Sequence, residues 1–175
     1  SGIVSGLTYS YLNTLDAGSW KSSYFTGVKV PTFTEALECC VRNNLIPMVE
    51  IKADATAEQY KTLVDTANKY FANNEVIFAT SVKNRLEAIR EQDQTAQLLR
   101  FANDNFGVEH FISDSMGLKP LIMSVFYVRI DQNYVDRLHE TGFKVHAHTL
   151  DNRQDIEEYS LLGIDGCLTS SSWSK

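Results

Sequence analysis

Six short runs of β-branched and apolar residues alternate with amphipathic segments, and this alternation constrains the fold more than any other feature of the sequence. Strands that helices separate at intervals of roughly 20 to 30 residues indicate right-handed βαβ crossovers and a parallel sheet. The predicted strands are residues 46–52, 76–80, 96–101, 121–125, 144–149 and 164–169. The sequence therefore predicts an α/β fold whose core is a parallel sheet of about six strands.

Capping residues open several of the amphipathic segments between these strands. Thr56 stands three residues before Gln59, which is the spacing of a capping box. Gly142 follows the segment that Asp131 heads, as a glycine after a helix C-terminus does. The stretch 102–119, rich in Asn, Asp and Gly, is predicted to be irregular. The predicted helices are residues 32–44, 56–72, 82–92, 131–140 and 152–162.

The start of the chain does not follow this alternation. Residues 5–30 are rich in Gly, Ser, Thr and Tyr and are predicted to form a loop with one helical turn at 9–15. The 175 residues are also fewer than the ~250 of a typical eight-stranded (β/α) barrel. A βα fold normally begins with a strand, so we expect part of the barrel to lie upstream of Ser1.

Composition narrows the classes of partner. The chain has 16 basic and 22 acidic side chains and a formal charge of −6, and its basic residues are scattered. Nucleic-acid binding needs a concentrated basic face, so we expect a small-molecule or protein partner instead. The apolar run 121–130 is interrupted by Ser124 and Arg129 and is far shorter than the ~20 residues of a transmembrane helix, so no transmembrane segment is predicted. Cytoplasmic and secreted locations both stay open.

The first candidate site lies at the end of the strand 46–52. Side chains alternate along a strand, so Met48, Glu50 and Lys52 share one face. In a barrel, the carboxyl ends of the strands carry the active site. An inward carboxylate can bind a hard divalent cation, and an ammonium group two residues later can reach the same anionic ligand. The alternative is a solvated strand end with an ordinary ion pair.

The second candidate is the strand that contains His146 and His148, which project to the same side. A His-x-His pair can ligate zinc or iron, as in metal-dependent amidohydrolases, although those enzymes carry the pair on the opening strand. His146 is better explained as a core histidine. His148, nearer the mouth of the barrel, is the functional candidate.

Five motifs in order are similar to the glycerophosphodiester phosphodiesterases. The similarity extends over nearly the whole chain, and the order and spacing of the motifs agree with that family. The matching segments are Leu15-Asp-Ala-Gly-Ser-Trp20, Val30-Pro-Thr-Phe-Thr-Glu-Ala-Leu37, Val49-Glu-Ile-Lys52, Thr141-Gly-Phe-Lys-Val-His-Ala-His-Thr-Leu-Asp-Asn152 and Gly163-Ile-Asp-Gly-Cys-Leu-Thr169.

This resemblance implies a TIM barrel that uses calcium or magnesium to split glycerophosphodiesters into glycerol 3-phosphate and an alcohol. It implies that Glu50 is a metal carboxylate and that Lys52 contacts the phosphate. His148 stands where the family usually has an active-site tryptophan, and Ser170 replaces an aspartate that often follows the final Ile-Thr. The family's two catalytic histidines precede its Leu-Asp-Ala-Gly-Ser-Trp motif, so we expect them upstream of Ser1.

The resulting prediction is a single, partial TIM-barrel-like domain over residues 1–175 that lacks the first two barrel strands. Residues 1–31 form a loop region that matches the family's insertion, and residues 32–175 contain a helix followed by βα units. We expect the polypeptide to be nearly inactive alone and to bind its divalent cation weakly. The rivals are a module that binds phosphodiester polymers such as teichoic acid, or a protein, without cleavage, and a His-x-His metallohydrolase. The open barrel edges would need an upstream segment, self-association or local rearrangement.

Overall fold

The computed structural model describes residues 2–72, 75–102 and 107–171. The chain divides into two compact units, residues 1–45 and 46–175, and each is described by itself. That residues 1–175 form a single domain stays a prediction. Among the described residues, no helix combines the length and the apolar character that crossing a membrane requires.

The first unit has little regular structure, as the sequence predicts for residues 5–30. The predicted helical turn is present over a shorter range, and the predicted helix that follows the loop begins at a complete capping box between Thr32 and Glu35. The helices are α1 (Tyr9–Leu12) and α2 (Phe33–Arg42), with 3₁₀ turns at Val4–Gly6 and Ser23–Phe25.

The carboxylate of Asp16 organises the loop of this first unit. It accepts hydrogen bonds from the backbone N–H groups of Gly18, Ser19 and Gly27 at 2.7 to 2.8 Å. These bonds, the one from Gly27 above all, hold the pKa of Asp16 well below its usual range. A Cβ at Gly18 would lie 2.2 Å from the carbonyl oxygen of Phe25, so only glycine fits there. The Leu15–Trp20 motif therefore builds a closed loop.

The second unit is a sheet of six parallel strands in chain order, curled into a partial barrel. This confirms the predicted fold class. The strands are β1 (Met48–Glu50), β2 (Ile77–Thr80), β3 (Gln97–Phe101), β4 (Leu121–Phe126), β5 (Lys144–His148) and β6 (Gly166–Cys167). The outermost strands, β1 with three residues and β6 with two, are shorter than predicted. Among the described residues, each of these two strands pairs with one neighbour, whereas each inner strand pairs with two. Fewer backbone hydrogen bonds to other strands therefore lengthen the outermost strands.

Five helices follow the strands of this unit. Thr56, Asp131 and Asn152 each accept a hydrogen bond from a backbone N–H of the helix that they cap. The helices are α3 (Ala57–Tyr70), α4 (Lys83–Gln92), α5 (Val108–Ser115), α6 (Gln132–Glu140) and α7 (Arg153–Leu161).

The prediction of an irregular stretch over 102–119 is wrong in its second half. Residues 108–115 form α5, and a 3₁₀ turn follows at Met116–Leu118. Phe111 and Ile112 of α5 are buried, so tertiary packing stabilises this short helix. Its polar residues give the segment the composition of a loop, and for that reason the sequence does not predict the helix. Residues 103–106 lie outside the described part of the chain.

The strand register separates two faces of the sheet. Helices α4 and α6 pack against strands β2, β3 and β5 on the outer face. The inner face, which faces the barrel interior, carries a buried cluster of Ala79, Leu99 and Ile122. Because the register aligns Glu50 with Ala79 and Ala79 with Leu99, Glu50 belongs to the inner face as well.

Candidate functional site

A cavity of about 370 Å³ opens at the carboxyl ends of the strands. It brings together the three side chains that the sequence analysis selected: Glu50 at the end of β1, Lys52 two residues later, and His148 at the end of β5. Its lining consists of Glu50, Lys52, Ser81, Phe101, His148, Thr149 and Leu168. A second cavity of about 270 Å³, lined by residues such as Thr95 and Lys144, lies at the opposite ends of the strands, so those three side chains do not line it.

Glu50 and Lys52 form an ion pair at the edge of this cavity. Both side chains are accessible to solvent, with 37% of Glu50 and 78% of Lys52 exposed. The pair is therefore open to a ligand. The opposite charges cancel, so the ligand-free pair offers a phosphate little net attraction.

Arg85 of α4 contacts the backbone before Lys52 and a side chain after it. Its Nη1 donates to the carbonyl oxygen of Ile51 at 3.2 Å, and its Nε donates to Asp54 Oδ1 at 2.8 Å. Sequence reasoning missed this contact because Arg85 is 33 positions from Lys52 and belongs to no motif.

His148 sits between two aromatic rings and a buried hydroxyl. Its Nδ1 is 2.9 Å from the Oγ of Ser124, which is fully buried on β4. The ring of Phe101 meets the imidazole edge-on at 5.6 Å between centroids, and that of Phe126 lies at 6.1 Å. Burial lowers the pKa of His148, which favours the neutral form of its imidazole. Ser124 carries a signal that could have been used: it is polar within an otherwise apolar predicted strand.

His146 lies on the same face of β5 as His148, two residues earlier in the strand and farther from its carboxyl end. The register places it opposite Gly166, where a Cβ would come within 2.7 Å of the imidazole Nε2. Burial lowers the pKa of His146 as well. This position inside the barrel agrees with the interpretation of His146 as a core histidine.

The described residues do not by themselves form a metal site. Among residues 2–72, 75–102 and 107–171, no three His, Cys, Asp or Glu side chains cluster around a possible ion position. Calcium takes six to eight oxygen ligands, whereas this cavity supplies one carboxylate, that of Glu50. The His-x-His pair likewise has no third His, Cys, Asp or Glu ligand in this part of the chain.

Ser170, at the position where an aspartate often follows the final Ile-Thr, lies beyond β6. Its backbone N–H donates to Asp151 Oδ1 at 2.6 Å, and the hydroxyl of Thr169 donates to the same oxygen at 3.2 Å. Asp151 therefore fixes the segment that leaves the last strand, and Ser170 is exposed.

Comparisons with known proteins agree on one family. The profile of the glycerophosphoryl diester phosphodiesterase family matches residues 1–172. A Bacillus subtilis (strain 168) protein assigned to the glycerophosphodiester phosphodiesterases, YhdW, is 24% identical in an alignment 178 residues long. The alignment covers 97% of this chain and 70% of the relative.

Solved structures show the same fold. A phosphodiesterase from Oleispira antarctica, in complex with the product sn-glycerol-3-phosphate, is 16% identical and superposes with a TM-score of 0.79 over 96% of this chain and 68% of its own. A glycerophosphodiester phosphodiesterase from Agrobacterium tumefaciens is also 16% identical, with a TM-score of 0.71 over 96% of this chain and 70% of its own. The chain therefore spans about two thirds of the length of these proteins.

Proposed function

Because this chain belongs to the glycerophosphoryl diester phosphodiesterase family, whose members are phosphoric diester hydrolases, we propose that its cavity binds the phosphate of a glycerophosphodiester. The observation that carries the proposal is the meeting of Lys52 and His148 at the carboxyl ends of the strands. A cation and a neutral imidazole in one open cavity are suited to an anionic ligand with additional hydroxyl groups.

Lys52 supplies the positive charge in this proposal. Its side chain is exposed and has several rotatable bonds, so the ammonium group can leave Glu50 and donate to a phosphoryl oxygen. Electrostatic stabilisation of the charge that develops on the phosphorane is the contribution that such a group makes to phosphodiester cleavage. Arg85 keeps the backbone around Lys52 in place while this side chain moves.

Glu50 is the proposed contact for a divalent cation. Bound calcium or magnesium would polarise a phosphoryl oxygen. A lone carboxylate that is already paired with an ammonium group leaves most of the ligand shell unfilled. We therefore propose that the chain alone binds either cation weakly, with a Kd of about 1 mM or more.

Cleavage itself is expected to need groups that these residues do not provide. The resemblance places the two catalytic histidines before the Leu15–Trp20 motif, whereas the four histidines of this sequence all follow that motif: His110, His139, His146 and His148. His148 and Ser170, in place of the tryptophan and the aspartate that the resemblance implies, favour the alternative in which the chain binds a phosphodiester, including a polymer of the teichoic-acid type, or a protein partner, without splitting it. Among the described residues, no third His, Cys, Asp or Glu accompanies His146 and His148 as a metal ligand would, which speaks against the second alternative, a His-x-His metallohydrolase.

The two open edges of the sheet suggest where another protein segment could bind. On the part of the chain that the structure describes, β1 pairs only with β2 and β6 only with β5. Unpaired strand edges favour association with another strand. We propose that an upstream segment of the parent protein or a second copy of this chain covers these edges. Light scattering distinguishes the two possibilities, because only self-association makes the measured molar mass of this chain rise with its concentration.

Binding of sn-glycerol 3-phosphate in the presence of EDTA tests the proposed site. Glu50→Gln releases Lys52 from its ion pair and removes a negative charge, so we expect binding to tighten about two- to fivefold. Lys52→Met removes the cation, and we expect binding to weaken about tenfold or more. Isothermal titration calorimetry measures both effects.

The exposed pair Lys61 and Asp65 on α3 is a matched control, since it is also a close Lys–carboxylate contact. Lys61→Met and Asp65→Asn are expected to leave the affinity unchanged. Weaker binding in Glu50→Gln without metal, or unchanged binding in Lys52→Met, would show that the ligand does not bind between these side chains.

A further inference from the structure

Ser124 is a buried polar residue that the proposed function does not yet use. It lies within β4, its exposed fraction is 0%, and its strand neighbours Met123 and Val125 are equally buried. A hydroxyl in such surroundings is unfavourable unless it forms a hydrogen bond. The hydrogen bond of Ser124 goes to Nδ1 of His148, at 2.9 Å. A buried hydroxyl has thus been placed against the one imidazole that lines the cavity.

The strand register makes this contact specific. In the register of β4 and β5, Ser124 is aligned with His146 and Phe126 with His148. The Ser124 hydroxyl therefore reaches the His148 ring from a position two residues before its aligned partner on β4. The rings of Phe101 and Phe126 contact the imidazole as well. Turning the imidazole over by 180° would put a carbon atom against the hydroxyl and leave a fully buried Ser124 without that partner. These contacts therefore favour one orientation of the ring.

In this orientation the two ring nitrogens have different tasks. Nδ1 faces Ser124, and among the described residues no hydrogen bond involves Nε2. Since His148 is only half-buried and lines the cavity, Nε2 is the nitrogen left for a ligand. Among the described residues Nδ1 is the one hydrogen-bond partner of the buried Ser124 hydroxyl, so the hydroxyl hydrogen is satisfied only if Ser124 donates. A hydroxyl that donates to Nδ1 selects the neutral imidazole with the proton on Nε2. That form presents an N–H group that can donate a hydrogen bond to an anionic phosphoryl oxygen.

We infer that Ser124 is a positioning residue: it donates to Nδ1 of His148 and so fixes an Nε2–H donor that faces a phosphoryl or glycerol oxygen in the cavity. This inference rests on the proposed function for the identity of the ligand. Its local part, the state of the imidazole, does not depend on any ligand. The two parts can therefore be measured separately.

The test is Ser124→Ala, examined by ¹⁵N NMR of the imidazole nitrogens and by calorimetry with sn-glycerol 3-phosphate. We expect wild-type His148 to carry its proton on Nε2, and Ser124→Ala to give a mixture of both neutral forms. We expect the variant to bind the ligand about three- to tenfold more weakly. The spectrum of His148→Gln identifies the His148 signals, and Ser124→Thr, which keeps the hydroxyl, is expected to restore the wild-type form.

Ser115 provides the matched control. It is also a serine with an exposed fraction of 0%, but its hydroxyl accepts from Arg100 on the outer face of the sheet. Ser115→Ala is expected to change neither the His148 signals nor the affinity. If Ser124→Ala fails to fold, Ser124→Cys replaces it, because a thiol of similar shape is a weak donor and is expected to give the same mixture.

Each result decides one part. Normal ligand binding together with unchanged His148 signals in Ser124→Ala, or in Ser124→Cys, overturns the role of Ser124 alone. A wild-type protein that does not bind sn-glycerol 3-phosphate overturns the proposed function and with it the ligand contact. In that case, a change of the His148 proton position in the variant still supports the local part of the inference.

Discussion

The 175-residue polypeptide is expected to hydrolyse glycerophosphocholine at least about 10⁴-fold more slowly than a full-length member of its family, with calcium or magnesium present. General acid and base groups contribute about 10²- to 10⁴-fold each, and the resemblance assigns both roles to histidines that have no counterpart in this sequence. Release of choline measures the rate. The neutral imidazole of His148 and the ammonium of Lys52 can bind and orient a phosphate, but they do not replace that pair.

A full-length glycerophosphodiester phosphodiesterase with measured activity on glycerophosphocholine, assayed under the same conditions, is the reference for this comparison. Loss of turnover together with retained binding of sn-glycerol 3-phosphate favours a binding role for these residues. A rate within about tenfold of the reference would contradict the prediction, and it would mean that other side chains of this chain supply the acid and the base.

Arg90→Met is expected to lower the free energy of unfolding by about 3 to 5 kcal/mol, because four carbonyl oxygens lose a charged hydrogen-bond donor. Arg90 is 8% exposed, and burial lowers its pKa. Its guanidinium donates to four carbonyl oxygens at 2.8 to 2.9 Å, and methionine would leave all four without this donor. The four acceptors belong to Gln94, Ala96, Leu118 and Pro120.

Urea denaturation measures this effect, with Arg153→Met as its control. Arg153 is 82% exposed and pairs with Glu157 one turn away, so its substitution is expected to change stability by no more than about 0.5 kcal/mol. The acceptors of Arg90 lie just before β3 and β4, the strands that carry Phe101 and Ser124 to the cavity. A loss below about 1 kcal/mol in Arg90→Met would mean that these segments do not depend on the guanidinium.

The elements that the sequence predicts well are those fixed by local chemistry. Capping residues such as Thr56 and Asp131 set helix starts within one residue, since their side chains bond the first turn directly. The period of two along a strand places Glu50 on the inner face, whereas Lys52 lies beyond the end of β1 and lines the same cavity. Helix α5 escapes prediction because packing of Phe111, and not its local sequence, stabilises it.

Contacts that depend on strand pairing could not be predicted in the same way. Ser124 meets His148 only because β4 and β5 pair in one register, and the two residues are 24 positions apart. Arg85 reaches the backbone beside Lys52 from a different helix. The sequence thus indicates which residue types could bind a phosphate, whereas the residues that orient them emerge from the tertiary structure.

A crystal structure of the chain with sn-glycerol 3-phosphate tests most directly whether Glu50, Lys52 and His148 face one ligand cavity. We expect the phosphate to lie within hydrogen-bond distance of Lys52 Nζ, with a phosphoryl or glycerol oxygen accepting from His148 Nε2. A phosphate bound elsewhere, or Glu50 and Lys52 turned outward against the helices, would contradict this arrangement.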